Sequence, residues 1–198
     1  ADSGSIQRAV TEVQQLSDGK LYGLFNNGAY GQPGAIEDLN RDTLRQQFET
    51  NLFGWCELTN ALLPGMLDRG EGRIIQNSSV LGFAALPFRG AYNTSKYALE
   101  GLTDTLRLEL AGTGVHVSLI EPGPIVSRFR DNALDALKRN IDIESSRHKA
   151  AYQKSIERLS QKGPVMRGTL GPEAVYKRLK HALESKRPKP RYYVTTPT

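Results

Sequence analysis

Tyr92 and Lys96 sit in the stretch Gly90-Ala91-Tyr92-Asn93-Thr94-Ser95-Lys96-Tyr97-Ala98-Leu99, which opens an amphipathic segment reaching about Ala111. If that segment is a helix, the two side chains stand one turn apart on a common face, an ammonium beside a phenol. A free tyrosine gives up its proton near pH ~10, too late for acid/base work at neutrality. A cation within a few ångströms favours the phenolate, so Lys96 is expected to lower the pKa of Tyr92. A tyrosine tuned in this way can exchange a proton with an alcohol or carbonyl oxygen. The plainer alternative is an aromatic at a helix start and a solvated lysine, because the spacing is common on helices.

The neighbouring elements favour the chemistry. Gly72-Arg73-Ile74-Ile75-Gln76-Asn77 predicts a strand that ends in the hydroxyl pair Ser78-Ser79. Val115 to Glu121 predicts another, ending in Pro122-Gly123. Earlier in the chain, Ser3 to Leu16 has helical spacing, and Leu21 to Asn26 predicts a strand followed by the glycine-rich turn Asn27-Gly28-Ala29-Tyr30-Gly31. Such a turn lets a ligand approach the backbone; alternatively it is only a turn with a left-handed residue. Asp42 to Leu63 predicts a long helix stopped by Pro64, with Asn51 in its middle beside Phe48, Leu52 and Phe53. An amide so placed needs a partner, whether local or functional.

Beyond Pro122, the stretch Ile125 to Thr169 is long and charged, with helices predicted around Asn132 to Asn140 and Ser145 to Gln161. An insertion of that length often forms a lid or substrate wall; its alternative is a surface excursion. A helix from Pro172 to about Leu183 and an edge strand at Arg191 to Val194 complete the chain. Alternating strands and helices predict an α/β fold, a parallel sheet with helices on both faces. In such folds ligands gather outside the carboxyl ends of the strands, where Asn27, Ser79 and Pro122-Gly123 all fall.

Composition narrows the function classes. The 198 residues suit a single domain with one core. Cys56 is the only cysteine and the three histidines are far apart, so no protein-built metal site is expected. No apolar run approaches the ~18 residues of a membrane span, and no signal segment opens the chain, so a cytoplasmic protein without membrane contact is expected. The net charge of +5 gathers between Lys177 and Arg191; a solvated terminal face accounts for it better than nucleic-acid binding, since few aromatics are interleaved with it.

Together these residues resemble the short-chain dehydrogenases/reductases. The likeness spans essentially the whole chain: Asn26-Asn27-Gly28-Ala29 is similar to the family's Asn-Asn-Ala-Gly turn, Asn51 to its mid-helix asparagine, and Ser79, Tyr92 and Lys96 to its catalytic set. Arg107-Leu108-Glu109-Leu110 and Glu121-Pro122-Gly123 are similar to the branch holding hydroxysteroid and retinol dehydrogenases and bacterial aldehyde or ketone reductases. The resemblance implies a Rossmann-like fold and an NADP- or NAD-dependent oxidoreductase, with hydride passing between the cofactor and a carbonyl or alcohol of a largely apolar small molecule. Tyr92 would exchange the proton, Ser79 hold the substrate oxygen, Lys96 tune Tyr92 and hold the nicotinamide ribose, and Asn51 anchor a water leading to Lys96. Asn27, Gly28, Tyr92, Lys96, Pro122, Gly123 and Ile125 would meet the cofactor.

Two departures accompany the resemblance. Gly28-Ala29 inverts the usual Ala-Gly order and is expected to move the conformationally permissive residue by one. No glycine-rich phosphate loop precedes Ser5, so the family's first strands are missing from this sequence, and a piece of a longer protein is expected, because the strand Leu21 to Asn26 would otherwise leave a bare apolar edge. The alternative function is a nucleotide-binding or regulatory relative that does not turn over. The resemblance also implies a homodimer or homotetramer built on Asp42 to Leu63 and Ala91 to Ala111; the sequence is compatible, since Phe53, Trp55, Leu99, Leu102 and Leu106 put apolar side chains on more than one face, and the alternative is that both helices are covered within one chain.

Overall fold

The carboxyl-end rim depends on three apolar strands lying side by side. In the computed structural model, which describes residues 2–161, 163 and 167–195, β1 (Gly23–Asn26), β2 (Gly72–Asn77), β3 (Val115–Glu121) and a short β4 (Arg191–Tyr193) form one sheet in the order β1-β2-β3-β4, and every neighbouring pair is parallel. Register brings Asn26 beside Gln76 and Asn77 beside Ile120, so the strands finish at one level.

Neighbouring residues of β2 show why both faces are covered. Ile74 packs with Met66, Leu110 and Val117 on one face, and Ile75 packs with Ile120, Ala182 and Tyr192 on the other. Successive strand residues point to opposite faces, so a continuous apolar run needs helices on each side. α3 (Gly54–Arg69) and α4 (Gly90–Glu109) cover the first face, and α7 (Pro172–Glu184) covers the second. α1 (Ser3–Leu16), capped by Asp2, lies on α3 and buries only Val10; Leu16, part of its predicted apolar stripe, is 81% exposed.

The predicted helix Asp42 to Leu63 is longer and less regular than its pattern suggests. α2 (Arg41–Phe48), capped by Asn40, runs through a π turn at Glu49–Phe53 directly into α3. Pro64 does not end it. Proline removes one helical hydrogen bond, but buried Leu62 and Met66 on either side carry α3 on to Gly70, whose left-handed φ of 65° closes it.

The excursion after β3 is a built structure with its own core. α5 (Phe129–Asn140) and α6 (Lys149–Ser160) bury Ala133, Leu137, Tyr152 and Leu159 against Ala35, Leu39 and Ala91. The Tyr152 hydroxyl donates to Asp38 Oδ2 at 2.5 Å and accepts from the Ala35 amide at 2.8 Å, pinning α6 to the loop that follows β1. Both ends of the excursion are stitched by a bridge between Ile125 and Leu170. Positions 162 and 164–166, within the predicted lid, lie outside the described residues. Among the described residues, no helix is long and apolar enough to cross a membrane.

Two glycines set opposite expectations for alanine. Gly114 has φ 82°, and a Cβ there would sit 1.8 Å from the Gly70 carbonyl oxygen, where the turns into β2 and β3 meet. Gly101 lies on the exposed side of α4 with nothing within 4 Å of its virtual Cβ. Gly114→Ala should therefore destabilise the fold by at least about 2 kcal/mol. Gly101→Ala should stabilise it by roughly 0.5–1 kcal/mol. Denaturant unfolding of the two variants checks both signs.

Candidate active site

β2, β3 and the start of α4 converge on one rim. Ser79 follows β2 in extended conformation, its Oγ accepting from the Leu81 amide at 3.1 Å and lying 3.5 Å from the Pro122 carbonyl oxygen. Tyr92 lies in the first turn of α4 and its phenol interacts with the Ser79 hydroxyl, so the predicted pair does meet. Lys96, one turn further, is 1% exposed, and its ammonium donates to the Asn77 carbonyl at the end of β2 at 2.7 Å. It also sits 4.5 Å from the centre of the Trp55 ring and 5.8 Å from that of Tyr92.

The turn after β1 forms the other side. Trp55 Nε1 donates to the Gly28 carbonyl at 2.9 Å, and Asn77 Nδ2 donates to Asn27 Oδ1 at 2.6 Å. Gly28 does not have a positive φ, nor do Asn26, Asn27 or Ala29. The expected left-handed residue is absent from this turn, so the inverted Gly-Ala order moves no special conformation. A Cβ at Gly28 would meet nothing within 4 Å, which leaves that part of the rim open.

Asn51 occupies the π turn, fully buried. Its Oδ1 accepts from the Tyr30 amide at 3.2 Å, while Nδ2 donates to the Tyr30 carbonyl at 2.9 Å and to Ser95 Oγ at 3.2 Å. Both amide hydrogens are thereby used, and no side-chain contact joins Asn51 to Lys96. The residue clips the loop after β1 to α4, with Ser95 in turn donating to the Tyr92 carbonyl at 2.8 Å. π turns recur at functional sites, where one extra residue re-aims a helix. Of the remaining predicted positions, Gly123 donates its amide to Thr195 Oγ1 at 3.1 Å, and Ile125 is partly buried against the α7-side core.

Independent likeness to known proteins agrees with this geometry. Residues 1–138 match the family model described as short chain dehydrogenase. The chain belongs to the short-chain dehydrogenase family. Among curated relatives of this family member, the uncharacterized oxidoreductase YbbO of Escherichia coli (strain K12) is 46% identical over 194 residues, covering 98% of this chain and 66% of that protein. Human 17-beta-hydroxysteroid dehydrogenase type 1 is 32% identical over 195 residues, covering 98% of this chain and 58% of that protein. The chain thus spans about two thirds of the length of the first of these relatives and less of the second. A short chain dehydrogenase/reductase from Burkholderia phymatum, solved in complex with NAD, has the same fold at TM-score 0.76 and 24% identity, over 98% of this chain and 66% of that one.

The electrostatics of this short-chain dehydrogenase site differ from the expectation drawn from spacing. Burial pushes the Tyr92 phenol up to about 12, against the opposing pull of the Ser79 hydroxyl and the Arg89 guanidinium. Burial likewise drags Lys96 down to about 7, with Glu100 one turn on holding it up. Desolvation penalises the charged form of both groups. Arg89, which spacing did not single out, is a second cation beside the phenol and pulls its pKa down. Tyr92 is therefore a protonated phenol at neutrality, able to donate.

Sequence reasoning also missed Trp55, Asn77 and Phe129. Phe129 opens α5 and packs edge-on to the Tyr92 ring at 5.2 Å between centres. Only the fold brings it there. The rim does suit a nicotinamide nucleotide: Asn77 Oδ1 is buried without a hydrogen-bond partner, Gly28 leaves open space, and Lys96 has donors beyond the one given to Asn77.

Lys96 makes a stability prediction. Its ordinary value of 10.5 falls to about 7 on folding, so between those values the unfolded chain holds the extra proton. The penalty for burying the ammonium is present below that window and fades as pH rises through it. Wild-type thermal stability should rise relative to Lys96→Met between pH 7 and about pH 9, as thermal unfolding across that range will show. A flat difference would mean that Lys96 stays charged in the fold.

Proposed function

We propose that this chain is the catalytic part of an NAD(P)-dependent oxidoreductase that interconverts a carbonyl and an alcohol on a largely apolar small molecule. The observation carrying this reading is the convergence of Ser79, Tyr92 and Lys96 on the carboxyl-end rim. When bound, the nicotinamide cofactor supplies or accepts the hydride. Asn27, Gly28, Lys96, Pro122, Gly123 and Ile125 are the residues that would hold it. A lean toward NADP rests on the reductase-like branch alone.

The chain's own residues handle the oxygen and its proton. Tyr92, protonated at neutrality, donates to the substrate oxygen as charge develops there and takes the proton back in the oxidative direction. The Ser79 hydroxyl adds a second donor aimed at the same oxygen. Lys96 holds the floor of the site through Asn77. Exclusion of water comes from the surroundings of Tyr92, which is 7% exposed beneath Phe129. On the full-length protein, Tyr92→Phe should cut kcat for NAD(P)H-dependent aldehyde or ketone reduction by about 10²–10⁴-fold. Ser79→Ala should cut it by roughly 10²–10³-fold. Unchanged turnover in Tyr92→Phe would remove Tyr92 as the acid and favour a binding role.

Assembly into a homodimer or homotetramer through the α3 and α4 helices belongs to the same proposal, on narrower ground than the sequence suggested. Trp55 and Leu99 pack within the chain and offer no surplus surface. Phe53 of the π turn, 49% exposed, Leu67 of α3, and Tyr97, 46% exposed, and Leu108 of α4 are the large apolar groups left uncovered along this stretch. Light scattering of the full-length protein should report an oligomer that Phe53→Arg weakens, whereas a monomer at tens of micromolar would end this part of the reading.

A further inference from the structure

Beside Tyr92 lies a positive charge that no acidic group among the described residues answers. Arg89 stands just before α4, and its backbone is fixed by a bridge to Gly34 and by the Asn93 amide, which donates to the Arg89 carbonyl at 2.8 Å. Its side chain has no such anchorage. Nη1 is shut from solvent without a hydrogen-bond partner, and among the described residues the guanidinium enters no ion pair. The charged or titratable groups that face it are the Tyr92 phenol and a second cation, Arg158 on the lid helix α6.

This arrangement is unfavourable for the chain alone. A guanidinium cannot shed its proton under ordinary conditions, so it cannot relieve burial beside a like charge by becoming neutral. A buried charge costs free energy unless it is paired and hydrogen-bonded. An anion paired with Arg89, with the exposed Arg158 nearby, would make the charge favourable, and a planar fork of N–H donors matches a carboxylate in two-point geometry. The guanidinium stands just before the turn of α4 that carries Tyr92, next to the group proposed to handle the reacting oxygen. Phe129 against the Tyr92 ring supplies an apolar surface beside it.

We infer that Arg89, with Arg158 above it, receives a carboxylate carried by the substrate, so that the molecule presented to Tyr92 is an oxo or hydroxy acid with an apolar body. This rests on the reading of Tyr92 as the acid at the substrate oxygen, and it narrows the largely apolar substrate to one with an anionic end. Arg89 fixes orientation: with the carboxylate held there, the carbonyl end is directed to Tyr92 and Ser79. The Arg89 guanidinium also opposes the rise of the phenol's pKa. Its substitution is therefore expected to alter turnover of every substrate somewhat, and the selective quantity is a ratio.

The test compares 4-carboxybenzaldehyde with 4-methylbenzaldehyde on the full-length holoenzyme, and measures 4-methylbenzoate binding to the full-length protein by calorimetry. The expected ratio of kcat/KM favours the carboxylate, and the preference shrinks as salt screens the pair. Arg89→Gln should lower that ratio at least about tenfold, chiefly through KM, and abolish 4-methylbenzoate binding. Arg89→Lys should recover part of the loss, and Arg158→Gln should lower the ratio a few-fold. If Arg89→Gln does not fold, the Arg158→Gln ratio and the calorimetry of the two remaining variants decide. Reduction of both aldehydes with no carboxylate preference and no Arg89 effect on the ratio would overturn the inference while leaving the oxidoreductase reading intact. Failure to reduce either aldehyde together with Arg89-dependent 4-methylbenzoate binding would support the anion site and count against the oxidoreductase reading. Absence of 4-methylbenzoate binding by wild-type protein would overturn the inference outright.

Discussion

The site hangs on one buried ammonium. Lys96 reaches from the first turns of α4 to the last carbonyl of β2 at 2.7 Å and lies over the Trp55 ring at 4.5 Å. Trp55 in turn holds the Gly28 carbonyl, and Asn77 holds Asn27 through its amide. One charge therefore fixes the spacing of helix, central strand and the turn after β1. That arrangement is costly, because the ammonium has few partners in exchange for its lost hydration, and the cost appears as the fall of its pKa. Sites often carry such local conflict where chemistry needs a tuned group.

A second knot of charge sits behind it. Arg191 from β4 binds Glu121 at 3.0 Å, Glu100 at 3.0 Å and Asp104 at 2.9 Å, joining the edge strand to β3 and α4. One guanidinium cannot neutralise three carboxylates. Glu121 is fully buried, and burial together with Glu100 raises it to about 7. Glu100 is raised as well, chiefly by burial, and it is the negative neighbour that holds the Lys96 pKa up. The two carboxyls interact, and the Ser78 hydroxyl and Arg191 oppose the rise that burial imposes on Glu100. The edge strand thus contributes to the electrostatics of a site it does not touch.

The excursion after β3 follows from similar economy of contacts. The Tyr152 hydroxyl meets both Asp38 and the Ala35 amide, and Gln32, Gln47 and Asn140 join in a buried amide network: Gln47 Oε1 accepts from the Gln32 amide at 2.7 Å, and Gln32 Oε1 accepts from Asn140 Nδ2 at 2.8 Å. Such polar satisfaction selects one docking of α5 and α6, where apolar packing alone would tolerate several. Phe129 and Arg158 arrive beside Tyr92 and Arg89 as a consequence.

The local elements were legible in the residues. The helix Ser3–Leu16 and the strand Val115–Glu121 occur with the expected bounds, because helical spacing and a short apolar run are properties of neighbours in sequence. Tyr92 and Lys96 share a face for the same reason. What neighbours cannot encode is the medium around a group or the residue that arrives from elsewhere. Pro64 passes inside a helix because tertiary burial of Leu62 and Met66 outweighs a local preference. The Tyr92 phenol rises instead of falling because its desolvation depends on every element packed over it. Arg89 and Arg158, far apart in sequence, become like-charged neighbours only through the packing of α6 beside the start of α4. Sequence by itself determined the strand-and-helix order and the choice of Ser79, Tyr92 and Lys96 as candidates; tertiary structure decided their surroundings and companions, since burial and long-range contact are set by the whole fold.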